Sequence, residues 1–210
     1  MASKRGLQVL AITDHDTAEG GLPFWREPMQ HNVMVIPGEE VSTELGHVLV
    51  YFVHNSIPAG RFNKVMNEIH AQGAMAFMAH PFHIPLGNRW RKRSIFKPQA
   101  EHLTQLIGLE VENGHNRTRA NKMAHFLAKE NSLPSISGSD AHFPLEIGNC
   151  RTKMNVTELT FEAVRRSLMD NATLAALPRQ WNAYPVYLWV GLLNRLSGRK
   201  YFWKEYGTES

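Results

Sequence analysis

Four apolar segments of this chain each lead into side chains that commonly bind metal ions. Those side chains follow segments beginning at Val9, Val33, Met75 and Leu133, and they are Asp14, His15, Asp16, Glu39, Glu40, His80, Asp140 and His142. Asp140 and His142 would project to the same side of an extended segment, because side chains alternate along a strand. Strand ends that gather ligands at one place indicate a barrel with its site at the carboxyl ends of the strands.

The rest of the pattern predicts an α/β fold with a largely parallel sheet, because short apolar strands alternate with amphipathic helices. We expect strands over 7–13, 32–36, 47–53, 74–79, 107–111 and 149–155, and a further strand from Leu133 that ends at Asp140 and His142. We expect helices over 59–72, 99–106, 116–130 and 160–169. Pro37-Gly38 is predicted to end the second strand. Glu40 and His47 could then face each other across a hairpin, and only one of Glu39 and Glu40 can easily face inward.

Composition narrows the class of protein. The 210 residues suit one domain, and we expect a barrel over residues 1–175 followed by a tail over 176–210. The formal net charge of +4 fits an anionic substrate but is too small for a dedicated duplex nucleic-acid binder. The single cysteine excludes an internal disulfide and fits a cytoplasmic protein. The longest apolar run, 183–193, is shorter than the ~20 residues of a membrane-spanning helix.

Two further segments carry alternative interpretations. The loop over 85–98 is rich in arginine and lysine, and either it is solvated or Arg89, Arg91 and Arg93 bind a substrate phosphate through their guanidinium groups. The tail repeats apolar residues at helical spacing from Val186 to Leu196. We predict that this amphipathic helix packs on the barrel, with docking on a partner or a membrane surface as the weaker alternative.

Six motifs, in order, resemble the PHP (polymerase and histidinol phosphatase) family of metal-dependent phosphoesterases. They occupy roughly residues 6–155, and they are Ala11-Ile12-Thr13-Asp14-His15-Asp16-Thr17, Pro37-Gly38-Glu39-Glu40-Val41-Ser42, Gly46-His47-Val48-Leu49, Ala79-His80-Pro81, Gly108-Leu109-Glu110-Val111 and Gly138-Ser139-Asp140-Ala141-His142. One such motif is weak evidence, whereas six in family order are strong evidence.

The resemblance implies a distorted seven-stranded (β/α) barrel, similar to a TIM barrel, that binds up to three manganese, zinc or iron ions. The implied metal ligands are His15, Glu40, His47, His80, Asp140 and His142, and all except His47 are also expected to serve catalysis. Glu40 matches the acid that bridges two ions, and Glu39 would point away. Glu40, His47 and His80 would hold one ion, Glu40 and Asp140 would contribute to a second, and His15 and His142 to a third.

The sequence departs from the family pattern at its beginning. The family opens with a strand that carries His-x-His, whereas residues 1–6 of this chain read as the end of a helix capped by Gly6. We therefore expect an N-terminally truncated barrel with one complete metal site and two depleted sites. Open strand edges would then favour self-association.

The implied reaction is hydrolysis of a phosphate ester by a water that the metal ions activate. Nucleotides, short oligonucleotides and small phosphorylated metabolites all fit as substrates. One alternative is a catalytically impaired metal-binding or partner-binding module, because His-x-His is absent. A zinc hydrolase of amide bonds is a weaker alternative.

Overall fold

In a computed structural model, residues 1–83, 99–170 and 174–178 of the chain are described. Their helices are α1 (Phe62–Ala71), α2 (Ala100–Leu103), α3 (Thr118–Glu130) and α4 (Phe161–Met169). Their strands are β1 (Val9–Ile12), β2 (Met29–Gln30), β3 (Val33–Thr43), β4 (Gly46–Tyr51), β5 (Met75–Met78), β6 (Gly108–Asn113), β7 (Ser135–Gly138), β8 (Arg151–Lys153) and β9 (Ala175–Leu177). Arg89, Arg91, Arg93 and the predicted tail helix lie outside the described residues, and the division at residue 175 stays a prediction.

The main sheet has the order β1, β3, β4, β5, β6, β7, with β2 attached to β3, and it curls into part of a barrel. The predicted α/β class is therefore confirmed. The sheet is mixed rather than largely parallel, since β4 runs antiparallel to both of its neighbours. The physical reason is the tight turn at Glu44-Leu45, because a turn this short can join only antiparallel strands.

Strand β3 is longer than predicted and continues through Pro37-Gly38 to Thr43. The strand can continue here because residue 38 is a glycine, and the neighbouring strands approach it too closely to leave room for a side chain. A Cβ atom at Gly38 would lie 2.7 Å from the carbonyl oxygen of Val50 and 2.8 Å from that of Ile12. The expectation of a strand end at this point was wrong, and Glu39 and Glu40 consequently lie within a central strand.

Two layers of apolar side chains cover opposite faces of the sheet. One layer joins α1 and α3 to alternate strand residues such as Val48 and Val50, and the other joins α4 to residues such as Leu49 and Phe77. Burying a large apolar side chain contributes about 1.5–3 kcal/mol, so these layers fix the strands firmly. The strand ends that carry the polar motifs are thereby held in place.

The predicted helices over 59–72, 116–130 and 160–169 form, and Thr160 caps the last of them by accepting a hydrogen bond from the backbone N–H of Ala163 at 3.2 Å. Residues Ser3–Arg5 form one 3₁₀ turn that ends at Gly6, whose φ of 72° is the left-handed conformation expected of a glycine cap. None of the helices in the described ranges is long and apolar enough to cross a bilayer.

Candidate metal centre

A single buried carboxylate, Glu40, gathers three imidazoles around it. Its Oε1 atom lies 2.7 Å from Nδ1 of His47 and 3.1 Å from Nε2 of His80. Its Oε2 atom lies 3.9 Å from Nδ1 of His15. Only 8% of the Glu40 side chain is exposed, so this carboxylate faces the imidazoles instead of bulk water.

The sheet positions each of these side chains. Glu40 lies in β3, and His47 follows the turn at the beginning of β4, as the hairpin prediction requires. His15 follows β1 and forms a parallel bridge with Glu40. His80 follows β5, and its backbone N–H donates to the buried carboxylate of Glu110 at 2.8 Å.

Asp140 and His142 follow β7, on the other end strand of the sheet. Asp140 accepts a hydrogen bond from the Asn113 amide at 3.2 Å, and Nδ1 of His142 lies 2.9 Å from the carbonyl oxygen of Asp140. Both residues line a cavity of about 1040 Å³ that also reaches His15, Glu40 and His80. The structure thus brings these five predicted residues to one cavity, and His47 joins them through its contact with Glu40.

Two of the predicted ligands have a left-handed backbone conformation. The φ angle is 25° for His80 and 52° for Asp140. Residues other than glycine adopt this region at a cost of the order of 1–3 kcal/mol, and such strain is commonly found at functional sites. His80 donates its backbone N–H to Glu110 and Asp140 accepts a hydrogen bond from Asn113, and these bonds hold both residues in place.

The centre is strongly coupled electrostatically. Burial alone would raise the pKa of Glu40, but hydrogen bonds with His47 and His80 hold that pKa well below its usual value. Burial alone would lower the pKa of His80, but the hydrogen bond with Glu40 and the charge of Glu110 raise it to about 9. Burial raises the pKa of Glu110 itself to about 8. The fold therefore favours positive charge beside Glu40.

The ligand types and their spacing fit a divalent cation. His15, Glu40 and His47 each offer one ligand atom, and these atoms lie within 4.8 Å of one another. Imidazole and carboxylate ligands suit zinc, manganese and iron. A cation would also balance the negative charge of the buried Glu40 carboxylate.

Sequence reasoning missed the part played by Asn113. Its buried side-chain amide donates to Asp140 and, at 3.1 Å, to Glu110, so it connects two of the acids that line the cavity. Glu110 was named only as part of the motif Gly108-Leu109-Glu110-Val111, without a role. The available signal was an uncharged polar residue at the end of a buried strand, but that signal does not identify the residues that it contacts.

Glu39 points away from the cavity, as the resemblance implied. Its Oε2 atom accepts a hydrogen bond from the backbone N–H of Ile57 at 2.9 Å, and its side chain is fully buried. His125 also lies apart from the centre, at 2.9 Å from Glu112.

Comparison with known proteins gives three sets of matches. The family described as PHP-associated matches residues 118–173. Uncharacterized protein MJ1587 of Methanocaldococcus jannaschii is 34% identical over 121 residues, which are 56% of this chain and 64% of that protein. Uncharacterized protein MJ0417 of the same organism is 33% identical over 131 residues, 60% of this chain and 53% of that protein. The chain thus spans roughly half to two thirds of these relatives.

Solved structures share the fold. A two-domain protein of Bacteroides vulgatus that contains a predicted PHP-like metal-dependent phosphoesterase aligns with a TM-score of 0.60 and 20% identity, over 85% of this chain and 58% of that one. PsfC of Pseudomonas syringae aligns with a TM-score of 0.64 and 17% identity, over 94% and 87%. The lesion-specific endonuclease Q of Pyrococcus furiosus aligns with a TM-score of 0.56 and 16% identity, over 83% and 50%.

The predicted resemblance to the PHP family is confirmed. The sheet curls as a partial, distorted barrel, and its fold is shared with that PHP-like structure. The PHP-type motifs of the sequence also lie around one cavity in this fold.

Proposed function

We propose that this chain hydrolyses phosphate esters with the help of divalent metal ions. The observation that carries the proposal is the buried Glu40 carboxylate, which contacts three imidazoles beside a cavity of about 1040 Å³. A cavity of this size admits a nucleotide or a short oligonucleotide end. The likeness to PHP-like phosphoesterases and to endonuclease Q supports this class of reaction.

The residues that would hold one ion are Glu40, His47 and His80. Asp140 would assist Glu40 with a second ion, and His15 and His142 would serve a third, as the family resemblance implies. When bound, such ions lower the pKa of water and neutralise charge on the phosphoryl oxygens.

The chain's own residues supply the positioning. Glu110 fixes the backbone of His80, and Asn113 fixes Asp140, so that ligands from β5 and β7 face one cavity. Fixed ligands reduce the reorganisation that the reaction requires. We infer that Arg89, Arg91 and Arg93, which lie 9 to 13 residues after His80, bind the phosphate of the substrate.

The test uses protein freed of metal by chelation and then reloaded with manganese. We expect turnover of p-nitrophenyl phosphate, bis(p-nitrophenyl) phosphate or a short single-stranded oligonucleotide. Glu40→Gln and His80→Ala should lower both bound metal and turnover by at least about 100-fold, since even outer contacts of a metal site contribute about 10–100-fold.

The matched control is His125→Ala, which removes an imidazole paired with Glu112 outside the centre. This variant should keep both properties. Turnover that survives in Glu40→Gln, or that needs no metal, would contradict the proposal. Full metal binding without turnover of any phosphate ester would instead favour the alternative of a metal-binding module.

A further inference from the structure

A second group of ligand-type side chains lies around the turn that follows β7. It comprises His115, His142 and Glu146, and one ligand atom of each lies within 4.8 Å of the others. Neither His115 nor Glu146 belongs to the ligands predicted from the sequence. His142 also lines the cavity described above, so this group lies next to that cavity.

Glu146 is the fixed member of the group. Its side chain is 1% exposed, and its Oε2 atom accepts hydrogen bonds from the backbone N–H groups of His142 at 2.8 Å and Phe143 at 3.1 Å. These two bonds orient the carboxylate. Its other oxygen, Oε1, lies 3.2 Å from Nε2 of His115.

That separation matches two ligands of one ion. Zinc bonds of about 2.0–2.1 Å at tetrahedral angles place neighbouring ligand atoms about 3.3 Å apart. The rings of His115 and His142 have centroids 5.1 Å apart, so the third ligand is adjacent. Two histidines with one glutamate form a known zinc ligand set that leaves one coordination position open.

His115 is also held by the backbone. The side-chain oxygen of Asn113 accepts hydrogen bonds from the N–H groups of His115 at 2.9 Å and Asn116 at 3.1 Å. The His115 side chain is only 10% exposed. Ligands that the fold orients in advance bind a cation with less loss of conformational freedom.

We propose that His115, His142 and Glu146 form a zinc-type cation site separate from the ion at Glu40, His47 and His80. The proposal goes beyond the phosphoesterase function and does not require it. It assigns His115 and Glu146 as ligands, and it places His142 with them instead of with His15, the partner that the family resemblance implies. The competing explanation is an ion pair between His115 and Glu146 without a metal.

Equilibrium dialysis of the metal-free chain against zinc alone tests the proposal by counting bound equivalents. We expect His115→Ala and Glu146→Gln each to remove one equivalent, and Glu40→Gln to remove a different one, so that Glu40→Gln combined with His115→Ala lacks both. His125→Ala should match the wild type. An unchanged count and affinity in folded His115→Ala would overturn the proposal and leave an ion pair only.

The buried Glu146 makes unfolding of its variant a concern, so a second measurement uses the unaltered chain. Anomalous diffraction from zinc-soaked crystals should show a peak between His115 and Glu146. A peak beside Glu40 without one at this position would overturn the proposal. Neither measurement depends on turnover, so failure of the phosphoesterase function would be recognised separately, as bound zinc or manganese without hydrolysis.

Discussion

His80 is held by two buried acids in two different ways. Its backbone N–H donates to Glu110 at 2.8 Å, whereas its imidazole lies 3.1 Å from Glu40. The main chain at His80 thus depends on one carboxylate and its ring on another. We therefore expect the protonation state of His80 to affect the stability of the fold as well as the proposed metal binding.

The metal-free protein should lose stability as the pH rises from about 6.5 to about 9. The pKa of His80 is about 9 in the folded chain, against an ordinary value near 6.5, so the folded state binds more protons across this interval. The loss should be of the order of 3 kcal/mol. Glu110, whose raised pKa is about 8, acts in the same direction.

Urea unfolding in chelator at several pH values measures this loss. His80→Asn should flatten the dependence, and His125→Ala should not. Because metal ions bind the deprotonated imidazole, metal affinity should rise over the same interval. A metal-free protein whose stability is constant from pH 6.5 to 9 would contradict the prediction.

Asn113→Ala should destabilise the chain by at least about 2 kcal/mol. The substitution removes the amide that donates to Glu110 and Asp140, and buried groups that lose a partner cost about 1–3 kcal/mol each. Asn131→Ala is the matched control, because Asn131 donates to the Leu127 carbonyl at an exposed helix end. Urea unfolding of both variants gives the comparison, and equal losses would argue against a special role for Asn113.

Gly138→Ala should weaken metal binding and stability together. A Cβ atom at Gly138 would collide with Oε1 of Glu110, which holds the His80 backbone. Crowding of this kind costs about 1–3 kcal/mol. In Gly60→Ala, by contrast, the nearest atom would be the Pro58 carbonyl oxygen at 4.0 Å. Thermal unfolding and metal titration should therefore separate the two variants, and identical behaviour would show that Glu110 moves without consequence.

Replacement of Arg89, Arg91 and Arg93 by alanine should raise KM for a phosphorylated substrate more than it lowers kcat. That pattern indicates the loss of an interaction that binds the substrate and the transition state equally. The control removes the same charge from exposed positions, Lys122, Lys129 and Arg166. If both triple variants change KM equally, the arginines act only through net charge.

The sequence allowed prediction of those features that depend on local pattern. Apolar periodicity located α1 and α4, and the alternation of strands and helices gave the α/β class. The six proposed ligands were named from the resemblance to the PHP family, whose motifs follow or lie within these strands. Their meeting at one cavity could be expected because strand ends of a barrel converge.

Long-range contacts account for what the sequence did not reveal. The passage of β3 through Pro37-Gly38 depends on the carbonyl groups of Ile12 and Val50, which are distant in the chain. The role of Asn113 depends on Asp140, and that of His115 on Glu146, and in both cases the partner is separated by more than twenty residues. The preference of a short segment for helix or strand does not indicate which distant residues it will contact.

Strand β3 carries Glu39 and Glu40 as buried acids on opposite faces, one bonded to Ile57 and the other facing three imidazoles. A one-residue insertion or deletion within this strand would move each following side chain to the opposite face of the sheet. The two carboxylates would then exchange faces, and the apolar side chains would leave the core layers that they now fill. The candidate metal centre and the packing of the sheet therefore both depend on the register of β3 with its neighbouring strands. Variation in length should be tolerated in the connecting loops but not between Val33 and Thr43.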